Sequence, residues 1–204
     1  MASGTPITSV GGHCASLGGE ARGAAEVRAA VRLRAERGAD IVKIMASGGV
    51  LTPGTDTMSP QFTDAGVHAA VDEAHRVGLP ITAHAHALDA VRQALAAGVD
   101  GIEHCTCLTP DGVRIDDTLL TALADSGIAL CTTLGSDPDV VVPPEIIAVA
   151  ARAGITQAAL RETAVRLHQG RARLVAGSDG ASPRPNLTVC CPSLWRSTCS
   201  PGCR

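Results

Sequence analysis

Amphipathic helical stretches alternate with short apolar runs along this chain, and a glycine stands at most of the joints. Helical patterns end at Gly38, Gly78, Gly98 and Gly127, and an apolar run follows each within a few residues. Glycine suits the position after a helix because it accepts a left-handed backbone without a Cβ clash. The clearest helix lies before Gly78. Thr63 reads as its N-cap, and Val67, Ala70, Val71 and Ala74 fall at i, i+3, i+4 and i+7 to make one buried stripe. An earlier helix over about residues 20–37 puts Val27, Ala30 and Val31 on one face, with Arg28, Arg32 and Glu36 toward water. Further helices are expected over about 87–97, 116–126 and 143–168.

The runs between them are residues 41–46, 80–85, 100–105, 128–133 and 173–178, and residues 7–10 read as the end of a preceding strand. They lack a clean inside–outside alternation, as strands covered on both faces do. Alternating helices and buried strands mean α/β architecture with right-handed crossovers. A doubly wound open sheet would also fit. Chemically competent side chains at the ends of several strands favour a (β/α)8 barrel, whose active site gathers at that rim. The expected fold is therefore a partial TIM-like barrel of about six parallel strands with outer helices. A complete barrel takes about 250 residues, so the first strands are expected to be missing, with the lost piece before Met1. The domain reading is a partial barrel over residues 1–180 and a tail over 181–204.

Lys43 breaks the apolar pattern. It sits inside residues 40–47, which otherwise read as a buried strand. Burying an ammonium there costs several kcal/mol unless the group is paired or chemically altered. Three later strands each bring a metal-compatible side chain: His84, His104 and Asp179. His84 and His86, two apart on one strand, point the same way. Neutral imidazole and carboxylate are good ligands for zinc and similar divalent ions. Lys43 joins such a set only if its amine takes up carbon dioxide to become an anionic carbamate; the plainer alternative is that it pairs with an acid. His68, His75 and His168 fall within helices and read as surface or packing residues.

Composition narrows the field. The chain has 204 residues with 17 basic and 20 acidic side chains, so no electrostatic footprint for nucleic acid or an anionic membrane is present. Its apolar runs are too short to span a bilayer. No secretory signal is legible at the amino terminus, which favours the cytoplasm. With one Phe, one Trp and no Tyr, the core must be built from Ala, Val, Leu and Ile.

Residues 42–49 (VKIMASGG), 81–86 (ITAHAH), 98–104 (GVDGIEH) and 175–180 (VAGSDG) together resemble the amidohydrolase superfamily, in particular its imidazolonepropionase-like and Xaa-Pro-dipeptidase-like branch. The resemblance covers roughly residues 5–180. It implies a barrel holding one or two divalent metals, with Lys43 as the carboxylated ligand, His84 and His104 as metal ligands, and Asp179 as ligand and proton acceptor. It further implies a substrate-contacting loop at residues 11–13, making His13 a substrate-binding candidate. His86 is expected to orient ligands and meet the substrate. The implied reaction is metal-assisted hydrolysis of an amide, peptide or cyclic amide.

The pattern departs from the family in two places. No His-x-His pair stands upstream of Lys43, where the family's first barrel strand carries one, and the small β-sandwich that the resemblance implies beside the barrel is expected to be missing with it. Beyond Asp179 the sequence becomes rich in Pro, Ser, Arg and Cys, with Cys190, Cys191, Cys199 and Cys203 crowded together. These could form a zinc knuckle, though their spacing matches no common module; a non-homologous tail is the preferred reading. Two functions therefore compete: a C–N hydrolase acting on a small amide or dipeptide-like substrate, and a weakly active or inactive fragment acting as a binding or oligomer partner through unpaired strand edges.

Overall fold

The computed structural model describes residues 1–50, 52–134, 144–152 and 155–177. In chain order the main elements are α1 (Gly23–Glu36), β1 (Val42–Met45), α2 (Asp64–Arg76), β2 (Ile81–Ala87), α3 (Leu88–Ala97) and β3 (Gly101–Thr109). They are followed by β4 (Gly112–Val113), α4 (Asp117–Ser126), β5 (Ala129–Cys131), α5 (Pro144–Arg152), α6 (Gln157–Gln169) and β6 (Leu174–Val175). The sheet runs β1-β2-β3-β5-β6, parallel throughout, in the order expected of a barrel wall. The sixth strand differs from expectation. Residues 7–10 give two isolated parallel bridges, Ile7 to Ile44 and Thr8 to Glu20, while β4 folds back antiparallel on the end of β3.

The helices follow their sequence signals. Thr63 caps α2 by accepting from Gly66 N–H, and Val67, Ala70, Val71 and Ala74 are all buried. Gly38, Gly78, Gly98 and Gly127 each take a positive φ, the left-handed turn that releases the chain from helix into strand. One expectation fails. The long helix over 143–168 is two helices, because Thr156 starts a new one at Gln157 by accepting from Ala159 N–H.

The core is aliphatic. Ile44, Ile81, Ile102 and Leu130 of successive strands meet Val27, Val31, Val67, Val91 and Leu123 of the helices, all fully buried. Helices α1 and α2 are further tied by Glu73, a nearly buried carboxylate that takes Arg76 and Arg32 in hydrogen bonds, with Arg28 at 3.6 Å. These contacts, Arg76 foremost, hold its carboxyl down to about 2.

Candidate metal centre

The parallel register decides which side chains share a face. Lys43 lies level with Thr82, and Met45 with His84, so Lys43 sits one pleat below the first histidine. On β2, Thr82, His84 and His86 alternate onto one side. On β3, Glu103 pairs with His84 and its carboxylate accepts from Thr82 Oγ1 at 3.1 Å, which puts Glu103 on the same side. His104 comes next in sequence and by simple alternation would face away.

It does not, because β3 is irregular there. Between Ala85 and Ala87 the partner on β3 advances from His104 to Leu108, leaving two extra residues on that strand. His104, Cys105 and Cys107 adopt φ of 70°, 48° and 56°. Such left-handed backbone in residues other than glycine costs on the order of 1–3 kcal/mol each and gathers at functional sites. This bulge turns the His104 ring back over β2, 4.7 Å from His84 and 4.3 Å from His86 between centroids.

His84, His86 and His104 can thus each offer one nitrogen, all within 4.8 Å of one another, and all three are buried. Their second nitrogens are held. His84 Nε2 lies 3.1 Å from the Gly48 carbonyl oxygen, His86 Nδ1 lies 3.0 Å from Thr106 Oγ1, and His104 Nδ1 lies 2.9 Å from Thr133 Oγ1. A carbonyl only accepts, so His84 carries its proton on Nε2 and keeps the lone pair on Nδ1. Burial is the largest force lowering the pKa of each ring, and the neighbouring histidines and Lys43 add to it; His86 falls to about 3. Neutral, clustered, buried imidazoles with oriented rings fit a divalent cation.

His13 joins the group from the loop before α1. Its ring lies 4.7 Å from that of His84 between centroids, tilted by 38°, Nδ1 meets Thr52 Oγ1 at 2.9 Å, and burial lowers its pKa, with Lys43 adding to the effect. Gly49 lies against that ring so closely that a Cβ would fall 2.3 Å from His13 Nε2. The segment after β1 therefore covers the histidines.

Lys43 lies close enough to the three rings for its charge to help lower their pKa values. Its side chain is 19% exposed rather than fully buried, and Nζ lies 3.9 Å from Glu103 Oε1. That is the ion pair weighed from sequence, with its partner now visible. Asp179, with the cysteine-rich tail over 181–204, lies outside the described residues. Cys131 lies level with Glu103 on the neighbouring strand, and burial first and then Glu103 push its thiol up to about 12. Sequence reading missed Glu103, Thr106 and Thr133. Nothing in a run of ordinary residues marks a bulge, and only glycine would have advertised the left-handed positions.

Comparison with known proteins identifies the line of descent. The model of the Amidohydrolase family matches residues 1–182. This chain belongs to that family. Ochratoxinase of Aspergillus niger is 39% identical over 84 residues, covering 41% of this amidohydrolase and 18% of ochratoxinase. Among solved structures, a Xaa-Pro dipeptidase with methionine bound in its active site superposes with a TM-score of 0.71 at 28% identity, covering 86% of this chain and 46% of that one. A prolidase complexed with N-methylphosphonate-L-proline gives 0.71 at 28% identity, over 87% and 47%. The sequence match reaches under a fifth of ochratoxinase, and by superposition the chain spans under half of ochratoxinase and of these peptidases. The parallel wall with outer helices is part of a TIM-like barrel. Among the described residues no helix is long and apolar enough to cross a membrane.

Proposed function

We propose that this amidohydrolase hydrolyses a C–N bond of a small amide, dipeptide-like or cyclic amide substrate. The observation that carries the reading is the buried three-histidine cluster at the end of adjacent parallel strands. His84 and His104 would hold a divalent ion, zinc by the chemistry of the donors, and His86 is close enough to contribute as well as to meet the substrate. A cation bound there supplies Lewis acidity, polarising a carbonyl and making water acidic.

The chain's own groups do the rest. His13 sits over the cluster, where it can bind a substrate carboxylate or carbonyl. Lys43 becomes an oxygen ligand only by leaving Glu103 and taking up carbon dioxide as a carbamate. Asp179 is assigned the proton that passes from the attacking water to the leaving nitrogen, on resemblance alone. The Xaa-Pro dipeptidase and the prolidase among the structural neighbours favour Xaa-Pro dipeptides as first substrates to try.

Purified chain incubated with zinc and a panel of Xaa-Pro dipeptides and acylated amino acids tests the reading. Hydrolysis abolished by chelation and by His104→Ala is expected. A chain that takes up no divalent ion would sink the proposal. We also propose that the outer side of β6, which pairs with no strand among the described residues, favours self-association. Light scattering across a dilution series should show mass falling toward a monomer of 20.6 kDa.

A further inference from the structure

Two of the three clustered rings rest on threonine hydroxyls, and one rests on a carbonyl. The difference matters because a carbonyl oxygen only accepts, whereas a hydroxyl can donate or accept. His84 is therefore confined to one tautomer by Gly48. His86 and His104 are not, since Thr106 and Thr133 can serve either form of the ring.

We infer that Thr106 and Thr133 are positioning residues that fix His86 and His104 through Nδ1 and present Nε2 of each ring to the cation. The inference rests on the metal reading above. Giving up the Nε2 lone pair requires the proton on Nδ1, and that proton then needs an acceptor in a buried place. Each threonine provides one by rotating its hydroxyl, with no heavy atom displaced.

The backbone is bent to make these contacts. Thr106 is fully buried and lies between Cys105 and Cys107, both left-handed, at the top of the bulge. Thr133 itself has φ of 52°, an uncommon state for a β-branched residue, and its partner His104 has φ of 70°. Strain on both sides of one hydrogen bond, at the rim of the sheet, is what a positioning contact would leave behind. Valine in either place keeps the branched shape and removes the acceptor. Serine keeps the acceptor.

The test is zinc affinity of the full chain, measured by competition with a chromogenic chelator, together with ring-nitrogen NMR of the zinc-loaded wild type. Thr106→Val and Thr133→Val should each weaken zinc by roughly 10–100-fold, the usual effect of losing such a partner. Thr106→Ser and Thr133→Ser should restore most of it. The spectra should show protonated Nδ1 and metal-bound Nε2 on both rings, a signature that a merely structural role would not produce. Valine variants that bind zinc as tightly as wild type, or rings coordinated through Nδ1, would overturn the inference while leaving the metal reading intact. A wild type that binds no zinc overturns both. Should a valine variant fail to fold, the wild-type spectrum still decides.

Discussion

At the scale of single residues, the site is a set of groups held in states they would not choose in water. His86 has its pKa pushed down to about 3, and His13, His84 and His104 are lowered as well, in each case chiefly by burial. In the unfolded chain these imidazoles take up protons near 6.5. Above that pH both states are neutral and the rings add no pH dependence. Below it the unfolded state binds more protons, so stability must fall as pH falls; for His86 the loss runs from about 6.5 toward 3 at up to about 1.4 kcal/mol per pH unit, and the other three rings add in the same direction. Denaturant midpoints of the metal-free chain at pH 7.5, 6.0 and 5.0 (about one unit apart or more, as the linkage needs) should decline in that order; a flat profile would mean the rings are solvated. Gly48 is a second pressure point. A Cβ there would lie 2.3 Å from the backbone oxygen of Asp56, which no side-chain rotation can relieve. Gly48→Ala should therefore cost about 1–3 kcal/mol as an overpacked contact. It should also loosen the carbonyl from His84, seen as faster amide exchange over residues 48–61.

The elements show how far sequence reading reaches. Helix α2 was legible to its cap, because Thr63 and the Val67, Ala70, Val71, Ala74 stripe are local signals that the fold had no reason to override. The strands carrying Lys43, His84 and His104 were legible too, and so was their order, since apolar runs between glycine-ended helices admit few topologies. The bulge in β3 was not. It depends on how β3 meets β2 and on what the site requires, and Glu103–His104–Cys105 reads as plain strand without that context. The hairpin to β4 and the break at Thr156 were hidden for a similar reason, as short turns outweighed by longer periodic runs. Between helices, Glu73 is the contact to probe. Glu73→Gln keeps the shape but takes the anion from Arg32 and Arg76, while Arg28 keeps Asp72 at 3.1 Å. The thermal midpoint should drop, and most of that loss should vanish as pH falls from about 4.5 to about 2, where the wild-type carboxyl is itself half protonated.

For the molecule as a whole, five parallel strands form one wall, and on it three buried histidines come together. The described donors are three imidazoles, enough for one cation. Metal analysis after dialysis against zinc should find about one ion per chain, and His104→Ala should lower the affinity markedly. Two ions per chain would show that Lys43 and Asp179 complete a second position. The bulge has a consequence at this scale as well. A strand with two unmatched residues has slack: Gly101–Glu103 stay registered with their neighbours on both sides while the segment after them is free of that spacing. The aim of the His104 ring can therefore drift through changes at residues 104–107 without any shift in the wall behind it. Relatives that need a different reach at this rim could obtain it by lengthening or shortening one turn of backbone, leaving the scaffold that folds them untouched.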